Sequence, residues 1–283
     1  MMNLTLRELY VHPLKSGAGL AVGQALLTDT GLQYDREWMV VDDQGEFLSQ
    51  RELPRMALIR CELRHSELVL RAPGMIALHL RLDAAEGELK VRVWNDELPA
   101  FDMGDLAAQW VSDFLGAKGL RLAAFDSESR RLSEARWSGG VQALNAFSDG
   151  FPLLVISRAS MDELNRRLQA AGHAPVGVER FRPNLVIDGL DEAHGEDHLH
   201  ELEIVTDEGP VVIRLTKPCP RCAIPDVDPA TAQRQGHVGD VLRTYREHPR
   251  VGGAVAFGMN GVIVSGVGRK LKVGAAITAR LAV

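Results

Sequence analysis

The chain is broken into short runs in which apolar and polar residues alternate, and turn-forming residues separate them. Leu78-His79-Leu80-Arg81-Leu82 and Leu89-Lys90-Val91-Arg92-Val93 alternate cleanly on either side of Asp83 to Glu88. Leu4 to Val11 is mostly alternating until Pro13 stops it. Glu37 to Val41 and Glu46 to Ser49 flank Asp42-Asp43-Gln44-Gly45, a gap suited to a hairpin. A side-chain period of two buries one face of a strand and wets the other. Strands this short, joined by polar turns, predict a small barrel or sandwich in the N-terminal part.

Helical spacing enters at Asp105, where Leu106, Ala107, Trp110, Val111, Phe114 and Leu115 fall on one face and Gly116 follows as a stop. The polar stretch after it marks a boundary, giving units of residues 1–120 and 121–283. In the second unit Phe151 to Ile156 reads as a buried strand. Ser160-Met161-Asp162-Glu163 reads as a capping box that opens a helix ending near Gly172. Further strands are expected at Asn184 to Ile187 and Val211 to Leu215, and a short helix at Gly239 to Arg246. The end of the chain predicts a strand pair, Gly261 to Ser265 with Ala276 to Leu281. The fold class is mainly β with a few helices.

The net charge of -6 argues against a nucleic-acid polymer as partner, but not against a local basic pocket for a small anion. No apolar run approaches the roughly 18 residues that span a bilayer, so no membrane association is expected. The N-terminus lacks the basic start and apolar core of a signal peptide. Three cysteines without an export signal fit a reducing, cytoplasmic location.

Two of those cysteines lie in Lys217-Pro218-Cys219-Pro220-Arg221-Cys222. The prolines fix φ and stiffen the loop, and the flanking cations favour a thiolate, the form that binds soft metals. A structural zinc site needs four ligands; His237 could supply a third, and no fourth is evident. A thioredoxin-like pair needs a following helix, which Pro225, Asp226, Asp228 and Pro229 deny. One thiolate acting as metal ligand or reactive sulfur, or two small residues packed in a core, remain. Lys15-Ser16-Gly17-Ala18-Gly19 is a loop whose glycines would let backbone N–H groups approach an anion. Asp35-Arg36-Glu37, Gln50-Arg51 and Arg180-Phe181-Arg182-Pro183-Asn184 add scattered cations. Arg reads phosphate through a planar fork, so with Lys15 these suggest a pocket for an anionic ligand. Asp149, in Ser148-Asp149-Gly150, either shapes a turn or accepts N–H groups from a ligand. His194, His198 and His200 fall in an acidic loop expected to be solvated.

Taken in order, these residues resemble the MOSC family, named for the C-terminal domain of molybdenum-cofactor sulfurase. The resemblance rests on Val11 to Ser16, Gly31 to Trp38, Gln50-Arg51 with Pro54 to Ile59, Asp149 to Leu154, Phe181 to Asn184, and Cys219 to Cys222 followed by Val227-Asp228-Pro229. It covers nearly the whole chain and implies an N-terminal MOSC β-barrel domain followed by a MOSC domain. It also implies a molybdenum–pterin cofactor; the family is further associated in general terms with pyridoxal phosphate binding. By resemblance Cys222 ligates the metal and is the catalytic residue, while Cys219 does not ligate. Lys15, Ser16, Arg36, Arg182, Asn184 and Arg221 surround the pterin and its phosphate, and Asp149 contacts the pterin. The implied activity is reduction of small N-hydroxylated compounds. Some bacterial relatives carry a 2Fe–2S ferredoxin domain whose cysteines this chain lacks. Electrons are therefore expected from a separate protein of ferredoxin or flavin reductase type. A non-catalytic cofactor carrier and a Cys-persulfide sulfur carrier are the alternatives.

Overall fold

A computed structural model describes residues 2–282. The largest element is an eight-stranded sheet. Its order is Leu185–Asp188, Leu153–Ser157, Ala256–Ser265, Val211–Pro220, Leu199–Ile204, Ala276–Leu281, Met2–Val11 and Leu20–Val22. Met2–Val11 also pairs with Leu185–Asp188, so seven of these strands close into a barrel. Closure removes the exposed edges that an open sheet of this size would present.

The alternation of the first strand explains how it lines the barrel. Leu4 and Leu6 point inward, and Leu9 and Val11 do so as well, although the interval between the two pairs is odd. A bulge between Leu6 and Glu8 absorbs the extra residue and restores the inward face. One pair of strands is parallel, Leu153–Ser157 with Leu185–Asp188. Parallel neighbours need a crossover, and the helix Arg158–Ala170 supplies it. This helix is capped by Ser157, whose side chain accepts from the Ser160 N–H. The cap therefore lies three residues before the expected one, and the Ser160 hydroxyl is spent on the buried Glu196.

The N-terminal body pairs Trp38–Val41, Arg121–Phe125, Asp96–Asp102 and Gly87–Val93 in one sheet. Arg60–Arg64, Glu67–Arg71 and Leu78–Arg81 form another. The expected helix is present at Asp105–Leu115, stopped by Gly116 in the left-handed conformation, and it buries Trp110, Val111 and Phe114. Strand pairing crosses residue 120 in both directions: Met2–Val11 pairs with Leu185–Asp188 and Ala276–Leu281, Gln24–Thr28 with Lys270–Lys272, and Arg121–Phe125 with Trp38–Val41.

Both clean alternating runs are strands: Leu78–Arg81 pairs with Glu67–Arg71, and Gly87–Val93 with Asp96–Asp102. Two local expectations are corrected. Ala256–Ser265 and Ala276–Leu281 are separated in the sheet by Val211–Pro220 and Leu199–Ile204. The loop around His194 is solvated only in part: Asp191, Glu192, His198 and His200 are exposed as expected, but its centre is not. Glu196 is fully buried, accepting from the Ser157 and Ser160 hydroxyls, and Asp197 pairs with Arg246 at 2.7 Å. His194 lies against Tyr245 and Phe257 with both ring nitrogens sealed and unpartnered.

Burial, with Arg246 nearby, pulls His194 down to about 3. A neutral buried imidazole stabilises the fold above its unfolded value of roughly 6.5 and loses that contribution as pH falls toward its folded value. The buried His12, also pushed well below its ordinary value, acts in the same direction. Each such group steepens the pH dependence of unfolding by about 1.4 kcal/mol per pH unit below pH 6.5. Urea titrations at pH 7.5 and 5.0 should therefore show a marked loss on acidification. His194→Asn, which tolerates the positive φ and does not titrate, should flatten it by about 2 kcal/mol. An unchanged slope would remove His194 from the account.

Candidate functional site

The backbone first marks the site. Among the described residues, seven non-glycine positions have positive φ, and five of them, Ser16, Tyr34, Arg36, Trp94 and Arg182, gather in one region. A left-handed side-chain-bearing residue costs about 1–2 kcal/mol, and such residues concentrate where a side chain must be aimed.

Two segments run side by side to build it. The Lys15 N–H donates to Trp38 O, the Arg36 N–H to His12 O, and the Trp38 N–H to Pro13 O. Lys15, Ser16, Asp35 and Arg36 are thereby brought together. Asp35 is buried, accepts from the His12 N–H at 2.8 Å and pairs with Arg36. The Phe147 N–H donates to Arg36 O, which brings up the 147–149 loop. Lys15 Nζ then donates to Phe147 O at 2.8 Å and to Asp149 at 2.6 Å. The guanidinium of Arg131 fixes this loop from behind through the carbonyls of Ala146, Ser148 and Asp149.

The glycine loop does not present its amides as expected. The Gly17 N–H closes onto Leu14 O and the Ala18 N–H onto Ile59 O. The carbonyls of Leu14 and Gly17 accept from Arg182, and Ser16 O accepts from Gln50. A Cβ on Gly19 would stand 2.7 Å from the His12 ring, so this glycine makes room for the imidazole.

Arg182 and Arg36 are neighbours. Arg36 Nη2 donates to Arg182 O at 3.0 Å, and its Nη1 reaches Asn184 Oδ1 at 3.2 Å. Burial, reinforced by Arg36, pulls Arg182 down to about 9. Burial likewise lowers Lys15, although Asp149 opposes the shift. Asp149 keeps most of its side chain exposed. Desolvation would raise its carboxyl, but Lys15, Arg36 and the Trp94 indole N–H prevail and hold it well below the carboxylate range. Three cations, Lys15, Arg36 and Arg182, face two carboxylates, Asp35 and Asp149, which leaves positive charge in excess.

The cysteines lie at the end of Val211–Pro220, longer than the expected strand. Cys222 is exposed and Cys219 half-buried. Arg221 does not serve Cys222. Its Nη1 donates to Cys219 Sγ at 3.1 Å, its Nη2 to Phe181 O at 3.0 Å, and its Nε is buried without a partner. Phe181 O and Arg182 O are consecutive carbonyls, so one turn of backbone ties the cysteine loop to the cation cluster. Among the described residues no three His, Cys, Asp or Glu side chains gather to hold a metal. A lone exposed thiol with surplus cations nearby fits a metal that arrives in an anionic organic ligand.

Asn184 is only 1% exposed and fully used, accepting from the Leu154 N–H and Arg36 and donating to Tyr10 O. It positions Arg36 rather than offering a free amide. Sequence reasoning missed Trp94, Phe47 and Arg131. The Trp94 indole donates to Asp149 at 3.2 Å, and Arg51 stacks 4.5 Å from its centre. The Phe47 ring lies 4.9 Å from Lys15 Nζ. One signal for Trp94 was available. Val93 pairs with Asp96, so Trp94-Asn95 is a two-residue turn, and a bulky ring stands where glycine or asparagine is usual.

Truncation tests this geometry. Asn184→Ala strands the buried Leu154 N–H and one arm of Arg36, at about 2–4 kcal/mol. Chemical denaturation should show that loss, and a loss under about 1 kcal/mol would mean that the hydrogen bonds are not made in solution.

Comparison with known proteins agrees with the architecture. Residues 3–118 match the MOSC N-terminal beta barrel domain and residues 143–278 the MOSC domain. Mitochondrial amidoxime reducing component 2 of Rattus norvegicus is 34% identical over 237 residues, 80% of this chain and 68% of the relative. Mitochondrial amidoxime-reducing component 1 of Mus musculus is 34% identical over 252 residues, covering 86% and 71%. Molybdenum cofactor sulfurase of Homo sapiens is 31% identical over 85% of this chain but only 28% of its own length. No helix among the described residues is long and apolar enough to cross a membrane. The closed barrel, the two matched domains and these relatives establish that the chain belongs to the MOSC-domain family, whose relatives give it a role tied to the molybdenum cofactor.

Proposed function

We propose that the protein is a molybdenum-cofactor-dependent reductase of small N-hydroxylated compounds, such as amidoximes and hydroxylamines, supplied with electrons by a separate redox protein in the cytoplasm. The observation that carries this reading is the single exposed thiol of Cys222, joined through Arg221 and the 181–182 carbonyls to a cluster with surplus positive charge. When bound, a molybdenum–pterin group supplies two-electron removal of oxygen from N–OH: the substrate, two electrons and two protons give the amine or amidine and water. The chain's share is to bind, orient and neutralise.

Cys222 would hold the metal. Lys15, Arg36 and Arg182 would offset the phosphate, with Ser16 beside them. Asp149 has the exposure and the ionised state to accept N–H groups of the pterin. Arg221 and Asn184 act one step back, bracing Cys219 and Arg36. The cofactor carrier or persulfide carrier is the second reading, favoured by the exposure of Cys222 and by the sulfurase relative.

Protein from a host that makes the cofactor should carry molybdenum and reduce benzamidoxime with an artificial electron donor. Molybdenum without turnover would select the carrier. Cys222→Ser should abolish turnover and disturb the metal. Cys219→Ser should be milder, because that sulfur is braced by Arg221 and packs toward Phe181 and Phe257. Equal loss from both would point to a dithiol mechanism. Arg182→Glu should empty the site; full occupancy in that variant would refute the phosphate assignment.

A further inference from the structure

A second cation cluster lies outside the set just described. Trp137 is on the short helix Ala135–Ser138, and three cations stand over its ring. Arg136 is 5.6 Å from the centroid, Lys217 Nζ 5.5 Å and Arg250 5.6 Å. Each comes from a different element. Arg250 lies on the turn Pro249–Val251 and is fixed by donation to Thr216 O at 2.5 Å. Lys217 is on the cysteine strand, where it and Cys219 are both half-buried and the intervening Pro218 is buried, so the two share a face. Lys217 Nζ also lies 5.8 Å from the ring of Phe151, two residues beyond Asp149. The cluster therefore borders the candidate site from both the Cys219 and the Asp149 sides.

Its charge is not balanced. Among the described residues Glu134 alone answers the three cations, 2.6 Å from Arg136 and 3.8 Å from Lys217. Three cations against one carboxylate leave two positive charges unmatched. The Trp137 Nε1–H is buried and has no partner among the described residues, so the ring rather than the indole N–H faces the cations. Lys15, Arg36 and Arg182, by contrast, are largely spent on Asp35, Asp149 and backbone carbonyls. Like charges converging on one ring repel, and an acidic chain has carboxylates enough to avoid that arrangement. A phosphate monoester carries about -1.5 to -2 at neutral pH and three acceptor oxygens, which matches the surplus charge of this cluster.

We propose that Arg136, Trp137, Lys217 and Arg250 form a subsite for a phosphate monoester on the substrate. The substrate class is then a phosphorylated N-hydroxylated compound. The assignment of this anion to a substrate rests on the reductase reading; the binding of the anion does not.

Adenosine monophosphate and adenosine, titrated by calorimetry, test it. The monophosphate should bind at least about tenfold more tightly than the nucleoside. Lys217→Gln/Arg250→Gln should erase that difference with unchanged circular dichroism and molybdenum content. Trp137→Phe should remove the change in indole emission that accompanies binding. Cys222→Ser, made metal-poor, should still prefer the monophosphate, so failure of the reductase reading and failure of this one are separable. Equal affinity for the two ligands, or a preference that survives the double substitution, overturns the subsite. Loss of molybdenum in the double variant also overturns it, by giving the cluster to the cofactor's own phosphate.

Discussion

Five consecutive residues, Arg180-Phe181-Arg182-Pro183-Asn184, connect nearly every part of the candidate site, and each reaches a different piece of chain. Arg180 holds the segment after the cysteines through Pro225 O, Gln235 and Asp228. Phe181 O accepts Arg221, and Arg182 reaches the carbonyls of Leu14 and Gly17. Pro183 O accepts the His12 ring at 2.9 Å, and Asn184 joins Tyr10, Leu154 and Arg36. Such fanning requires the backbone to turn within one residue. Arg182 does so at φ +58°, so its side chain goes to one segment while its carbonyl receives Arg36 from another. A regular strand would alternate these side chains between only two faces.

The strand that follows, Leu185–Asp188, is where the barrel closes. Closure of the fold and assembly of the site thus share a few residues of sequence. The candidate residues sit in short turns and connections at the ends of strands, and the hydrogen bonds between those turns hold the side chains in place. The left-handed positions at Ser16, Arg36, Trp94 and Arg182 make sense in those turns. Their cost is tolerable only where surrounding hydrogen bonds over-determine the conformation.

Much of the fold was legible because it is written in local periodicity. The Asp105–Leu115 helix, the buried run before Ser157 and the strand before the cysteines all follow from spacing and stop residues. Pairing was not legible. The parallel pair across the helix and the insertion of the first strand beside the last depend on long-range closure, which alternation does not encode. The site divides in the same way. Residue types with intrinsic chemistry, Cys222, Lys15, Arg36, Arg182 and Asp149, could be singled out one by one. Their partners could not: sequence offered no reason for Arg221 to turn to Cys219, for Asn184 to be consumed inside, or for Glu196 to be buried on two serine hydroxyls. The centre of the His194 loop misled for a related reason, while His198 and His200 are exposed as expected. Its acidic composition reads as solvated, yet two of its carboxylates find Ser157, Ser160 and Arg246 beneath it.

The electrostatics then separate anchoring from reception. A cation whose donors are consumed by carbonyls and carboxylates fixes structure, and it contributes to an outside anion only through its residual field. Lys15, Arg36 and Arg182 are of this kind, and burial lowers Lys15 and Arg182, so an anion nearby would favour their charged forms. Cations with open donors and unmatched charge, like those around Trp137, can instead form bonds when a ligand arrives. With an overall charge of -6, what makes either cluster locally basic is where the chain places its arginines and lysines rather than how many it has.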